Sequence, residues 1–225
     1  MGTLFIIATP IGNLGDVSTR TVEVLRSLDV LFCEDTRVTG KLLARFEVHV
    51  PALDSYREEV HAIKAEKVIA LLEEGKKVGL VTDAGTPCIS DPGHRLVAAA
   101  RERLPSVRIE AVAGPSAVVA ALSVSGFPAD QFVFLGFPPH KGRERWFASA
   151  VDFGLTTVFY ESPHRVVKAF ETLMGLCPDR QVIVARELTK LHEELMSGTV
   201  AEVAGRLGER EPRGEFVVVL GPVKK

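Results

Sequence analysis

Short apolar runs recur along the chain. Most are followed at once by a polar loop, and several of those loops lead into a segment whose apolar residues return every three or four positions. Runs of four or five aliphatic residues have the length of strands buried on both faces of a parallel sheet, and the longer spacing is that of a helix with one buried side. Residues 4–8, 30–33, 78–81 and 107–112 read as strands, with a weaker signal over 45–53. Helices are expected over 19–27, where Ser18 caps and Val22, Leu25 and Leu28 share a side, and over 94–103, opened by Pro92. Between them, Val60, Ile63, Val68, Leu71 and Leu72 sit at helical spacing ahead of a stop at Gly75. Strand and helix alternating in this way imply a parallel sheet covered by helices.

The pattern loosens around Gly126-Phe127-Pro128, beyond a helix over 117–124. Strands follow over 131–137, 156–160, 181–185, 195–198 and 216–220. Val166, Val167, Phe170, Leu173 and Met174 mark the inward side of one helix, and a short one covers 200–207. Two α/β domains are expected, residues 1–113 and 114–225.

Composition narrows the classes. The 225 residues are 46% hydrophobic and 25% charged, ordinary values for a globular chain with a substantial core. A net charge of −2 argues against a broad basic surface for nucleic acid, so any RNA contact must be local. Cys33, Cys88 and Cys177 are too few and too scattered for a disulfide framework or a zinc site, which fits a reducing cytoplasm. No apolar stretch nears the roughly 20 residues of a membrane span, and no basic leader precedes the first apolar run. A soluble cytoplasmic protein without a metal centre is the expectation.

Candidate chemistry gathers in the loops. The stretch VGLVTDAGTPCISDPGH, residues 78–94, runs from a strand into a loop holding Asp83, Gly85 and Thr86, the place where open α/β sheets bind ligands. It lacks the Lys-Ser/Thr pair of a phosphate-binding loop and the glycine spacing of a dinucleotide fingerprint. A similar loop after the first strand holds Pro10, and AGPSA at 113–117 holds Ser116 and Ala117 at a helix start whose free N–H groups can meet a ligand. Glu34-Asp35-Thr36-Arg37 ends the second strand, and Tyr56 and Arg57 follow the weak third signal. The most basic stretch, PPHKGRERW at 138–146, reads as a small RNA-facing loop or as a solvated turn whose Trp146 starts a core-facing helix, and the second reading is favoured. Arg186, Glu187 and Lys190 sit at or just past a strand end.

Taken together, ATPIGNLGD at 8–16, CEDTR at 33–37, VTDAGTPCISDPG at 81–93, AGPSA at 113–117, FLGFPP at 134–139, FYESPHR at 159–165, ARELTK at 185–190 and GEFV at 214–217 resemble the tetrapyrrole (corrin/porphyrin) methylase superfamily, and within it the ribosomal RNA small-subunit methyltransferase I family. The resemblance implies two α/β domains of the tetrapyrrole methylase type, with an N-terminal parallel sheet, a C-terminal mixed sheet and a cofactor cleft between them. It implies a homodimer that uses S-adenosylmethionine to methylate the ribose 2′-oxygen of a cytidine in small-subunit ribosomal RNA, free or in the small ribosomal subunit. By the same resemblance, cofactor contacts fall on Pro10, Asp83, Gly85, Thr86, Ser116, Ala117, Tyr160, Ala185, Arg186 and Phe216. Ala113 stands where the family pattern has proline, and family members commonly continue with a small helical segment beyond the last strand, where this sequence stops at Lys225.

Such a transfer asks the protein for alignment and a base. Glu187 and Lys190 are the candidates, with Asp35 and His164 behind them. A lysine serves as base only where burial or a neighbouring cation such as Arg186 depresses its pKa. Two rival readings share many of these features: a methyltransferase acting on a tetrapyrrole, and a non-catalytic module that binds ribosomes or a nucleotide.

Overall fold

A computed structural model of the chain describes residues 1–209 and 211–223; the side chain of Val60 also lies outside what is described. In chain order the elements are β1 (Thr3–Ile7), α1 (Thr19–Ser27), β2 (Val30–Cys33), α2 (Thr36–Arg45), β3 (Ala52–Ser55), α3 (His61–Glu73), β4 (Lys77–Leu80), α4 (Gly93–Arg103) and β5 (Arg108–Val112). Then follow α5 (Ala117–Ser125), β6 (Phe132–Phe134), α6 (Arg143–Asp152), β7 (Thr156–Glu161), α7 (Pro163–Leu176), β8 (Gln181–Arg186), β9 (Glu194–Thr199), α8 (Val200–Gly208) and β10 (Phe216–Leu220). They divide into two units, Met1–Ser116 and Ala117–Lys225.

In the first unit five parallel strands lie in the order β3-β2-β4-β1-β5. Side chains alternate across the sheet, so Phe5 and Ile7 of β1 pack with Leu25, Leu28 and Leu43 beneath α1 and α2. Leu4 packs on the other face with Val68, Leu72 and Leu96 beneath α3 and α4. Neighbouring strands β1 and β4 therefore send their following helices to opposite faces. That divergence opens the crevice at the carboxyl edge where such sheets bind ligands.

Three readings change here. The segment 36–45, to which no element is assigned above, is α2, capped by Asp35 and with Thr39, Leu42 and Leu43 buried. The third strand lies at 52–55, later than the signal over 45–53. Ile63, at helical spacing, faces solvent, while Val68 and Leu72 are buried.

The second unit holds a mixed sheet in the order β6-β7-β10-β8-β9, with β6 and β7 parallel and the other pairs antiparallel. Phe147, Phe159, Phe170, Leu173 and Val203 fill the core on the face covered by α6, α7 and α8, and Val118, Ala121 and Leu122 of α5 pack on the other. Met174 is exposed. Among the described residues, no helix is long and apolar enough to cross a membrane.

Candidate active site

In the first unit the candidate residues meet at the carboxyl edge of the parallel sheet. Thr9, after β1, exchanges two backbone hydrogen bonds with Gly85, after β4, at 2.9 and 3.1 Å. Gly85 has φ +84°, and a Cβ there would lie 3.3 Å from Ile11, so a side chain is disfavoured by both backbone and space. The Thr86 hydroxyl donates to the Pro115 carbonyl (2.9 Å), which ties the loop after β5 to the same place. Pro10, Asp83, Gly85, Thr86 and Ser116 thus belong to one loop cluster.

Beside it, a cavity of about 320 Å³ is lined by Glu34, Asp35, Arg57 and Asp83 with residues of the next turn. The Asp83 carboxylate accepts from the Asp35 backbone N–H (2.9 Å). Burial pushes the Asp83 pKa up, the Glu34 and Asp35 carboxylates add to this, and the Asp35 N–H opposes it. Asp35 is the reverse case. Hydrogen bonds from the Arg37 side chain and backbone bring its pKa down to about 2, and they engage it as the cap of α2. That engagement suits a structural carboxylate better than a base. Arg57 donates to the Glu34 carbonyl (2.9 Å), whereas Tyr56, the other candidate in this loop, is buried in the core.

In the second unit the ends of β7 and β8 and the start of β10 share an edge. Cross-strand register puts Tyr160, Val217 and Ala185 in one row and Glu161, Phe216, Arg186 and Glu194 in the next. Adjacent rows face opposite sides of a sheet. Tyr160 and Ala185 therefore look toward the α5 side, and Arg186 and Phe216 toward the α7 and α8 side. The cofactor candidates of this unit thus do not form one side-chain surface, and the Phe216 ring is buried in the core. Tyr160 lies against Phe134 and Phe137, with centroids 5.1 and 5.2 Å away. Burial, helped by Glu215, raises its phenol to about 12.

Glu187 and Lys190 do come together. The Lys190 ammonium donates to the Glu187 and Glu215 carboxylates, each at 2.9 Å, and the Glu215 N–H donates to the same Glu187 oxygen at 2.9 Å. Glu187 itself has φ +50°, an uncommon conformation for a residue with a side chain, held by its backbone N–H bond to the Glu215 carbonyl. Burial lowers the Lys190 pKa, but the two carboxylates outweigh it and the net shift is upward. Burial likewise raises Glu187, yet hydrogen bonds from Lys190 and Glu215 bring it below its ordinary value. The depressed lysine that base chemistry needs is absent from this pair: Lys190 is held as a cation and Glu187 as a carboxylate.

Other residues emerge only from the structure. Glu161 is 1% exposed and binds Arg143 (2.5 Å), Arg165 (3.1 Å) and the Ser162 N–H (2.8 Å). Nothing local in the sequence signals this cluster, because Glu161 ends β7 and Arg165 lies in the first turn of α7, outside the reach of the helical four-residue spacing. Within the basic stretch His140, Lys141 and Arg145 are exposed, but Arg143 turns inward and Trp146 packs edge-on against Phe147 and Phe159. The aromatic residue therefore belongs to the core. His164 is exposed in the first turn of α7.

Residues 3–204 match the family model described as Tetrapyrrole (Corrin/Porphyrin) Methylases. The chain is 41% identical over 221 residues to the Ribosomal RNA small subunit methyltransferase I of Thermotoga maritima, covering 98% of each. It is 42% identical over 223 residues to the protein of that name from Synechocystis, covering 98% of this chain and 79% of that one. Among solved structures it is similar to a uroporphyrin-III-C-methyltransferase from Thermus thermophilus (TM-score 0.66, 21% identity, covering 98% and 94%). It is also similar to the methyltransferase CobJ (TM-score 0.73, 19% identity, covering 99% and 95%). At those identities the two structures speak for the fold alone.

Proposed function

The chain belongs to the tetrapyrrole (corrin/porphyrin) methylases, and within them to the ribosomal RNA small subunit methyltransferase I family, and from that premise we propose that it methylates the ribose 2′-oxygen of a cytidine in small-subunit ribosomal RNA. Bound S-adenosylmethionine supplies an electrophilic methyl group on a sulfonium. The loops of the first unit suit such a cation, since Asp83, Asp35 and Glu34 surround their cavity with carboxylates. Cofactor contacts are assigned to Pro10, Asp83, Gly85, Thr86 and Ser116 there, and in the second unit to Ala117, Tyr160, Ala185, Arg186 and the backbone of Phe216.

The observation that supports the transfer step is the Glu187–Lys190–Glu215 cluster. A ribose hydroxyl is a weak acid, but its proton becomes strongly acidic as the new carbon–oxygen bond forms. A carboxylate in hydrogen-bond reach is then base enough. Glu187 takes that role, and Lys190, a cation between two carboxylates, fixes the acceptor oxygen.

Replacing Lys190 with alanine is expected to lower turnover by about 10²-fold and to leave cofactor affinity within about twofold, read by single-turnover methylation and calorimetry. Wild-type turnover in that variant removes Lys190 from the mechanism. The pH profile follows from the directions of shift. A carboxyl lowered below its ordinary value stays ionised to lower pH, and an amine raised above its own stays protonated to higher pH, so kcat/KM is expected to be flat from about pH 6 to pH 9. A rate that climbs with pH beyond about 10 would instead assign the proton acceptor to Lys190. The function itself is tested with methyl-labelled S-adenosylmethionine and unmethylated small ribosomal subunits, mapping the label by nuclease digestion. Label on a cytidine 2′-oxygen is expected, and label on a base or on no RNA overturns the reading.

A further inference from the structure

A second cavity, of about 340 Å³, is lined by residues of the second unit alone; it shares Arg186 and Phe216 with the cofactor assignment but lies on the side of the sheet away from Tyr160 and Ala185. Its apolar lining is the half-buried Pro212 together with Met196, Leu207 and Phe216, core residues that keep 2–6% of their surface exposed. Among the described residues its rim carries Arg186, Arg206 and Arg213 against Glu194 and Glu211, one positive charge in excess. We propose that this cavity is a subsite for a nucleotide flanking the methylated one, with its base against the apolar lining and its phosphate at the arginines. The proposal rests on the ribosomal RNA reading.

The three arginines differ in how they are held. Arg186 is fixed, donating to Glu194 (3.0 Å) and to the Arg213 carbonyl (2.6 Å), so its flat guanidinium is set in place and its charge is matched. Arg206 donates to the Ser197 carbonyl, a neutral acceptor, and so brings its charge to the rim. Arg213 reaches Glu211 only at 3.6 Å, with both side chains about four-fifths exposed, a pair that water screens to little effect. An apolar ligand leaves these cations without a use, and a bare anion leaves the apolar lining without one. A nucleotide uses both, by stacking its base on apolar and guanidinium surfaces as single-stranded RNA does in proteins. Location supports the same occupant. Arg186 and Arg213 immediately precede Glu187 and Gly214, so the cavity adjoins the cluster proposed to act on the ribose.

The test exploits a sequence with three methionines. Protein labelled at its methionine methyl groups is titrated with cytidine 5′-monophosphate, with cytidine and with inorganic phosphate. Cytidine 5′-monophosphate is expected to shift the Met196 methyl resonance, to leave that of exposed Met174 in place, and to bind about tenfold more weakly to the R206A/R213A variant. In methylation of small subunits that variant should show a KM raised about tenfold, an unchanged kcat, and a salt dependence reduced by about one phosphate contact. A Met196 shift reproduced by phosphate alone, no shift with cytidine 5′-monophosphate, or a wild-type KM in the variant overturns the subsite. A Met196 response in a protein that methylates no RNA overturns the ribosomal RNA reading and leaves the nucleotide site standing.

Discussion

Replacing Glu161 with alanine is expected to destabilise the second unit by about 3–5 kcal/mol, the range for breaking one partner out of a buried ion pair. The carboxylate has no exposed side-chain surface and the Arg143 side chain is 14% exposed. Glu161 also takes Arg165 and the Ser162 N–H. Removing it leaves two cations and a backbone donor around a void, and Arg143 already has one guanidinium nitrogen, Nη1, that is buried without a partner. Glutamine at this position keeps the shape and an acceptor for Ser162, so E161Q is expected to lose less. An exposed pair of the same charges in the same unit, Arg213 with Glu211, is screened by water to little effect, and R213A serves as the comparison. Trp146, the single tryptophan, packs in the same core, so its fluorescence during urea unfolding follows this unit. A shift no larger in E161A than in R213A would sink the argument.

The same cluster shows what can be read from a sequence and what cannot. Residues 30–33 and 216–220 are strands with the expected bounds because every side chain in them is buried, and an unbroken apolar run carries that information locally. The helix over 19–27 was legible through its Ser18 cap, which accepts from the Thr21 N–H. Helix α2 was not, since Thr36, Val38, Thr39 and Gly40 weaken the helical signal of its first half, and the Asp35 cap with burial of Thr39, Leu42 and Leu43 decides the matter. In the site, Glu187 and Lys190 are three residues apart and were found together. Glu215 enters only through the register of β8 with β10, a relation that lies 28 residues away in the chain. The protonation states of the pair were equally out of reach, because they are set by which carboxylates face the lysine.

Gly214→Ala is expected to reduce methyl transfer by about 10²–10³-fold, comparable to losing a positioned acid–base group, while the protein stays folded. Gly214 has φ +90°, and a Cβ there would lie 2.5 Å from the Cγ, Cδ and Oε1 atoms of Glu187. The left-handed backbone alone disfavours alanine by about 1–2 kcal/mol. Gly75 isolates that contribution, since it has φ +85° and nothing within 4 Å of a Cβ, so G75A should show a similar loss of stability with unaltered turnover. At Gly214 the new methyl has a second effect. The Glu187 side chain is flexible enough to move aside, but moving takes its oxygen away from the Glu215 N–H and from Lys190. The carboxylate survives in the wrong place. If that displacement is the whole cause, adding G214A to E187A should reduce turnover no further than E187A alone, because both changes remove the same acceptor. Losses that multiply in the double variant would show that Gly214 acts on the reaction by some route other than Glu187.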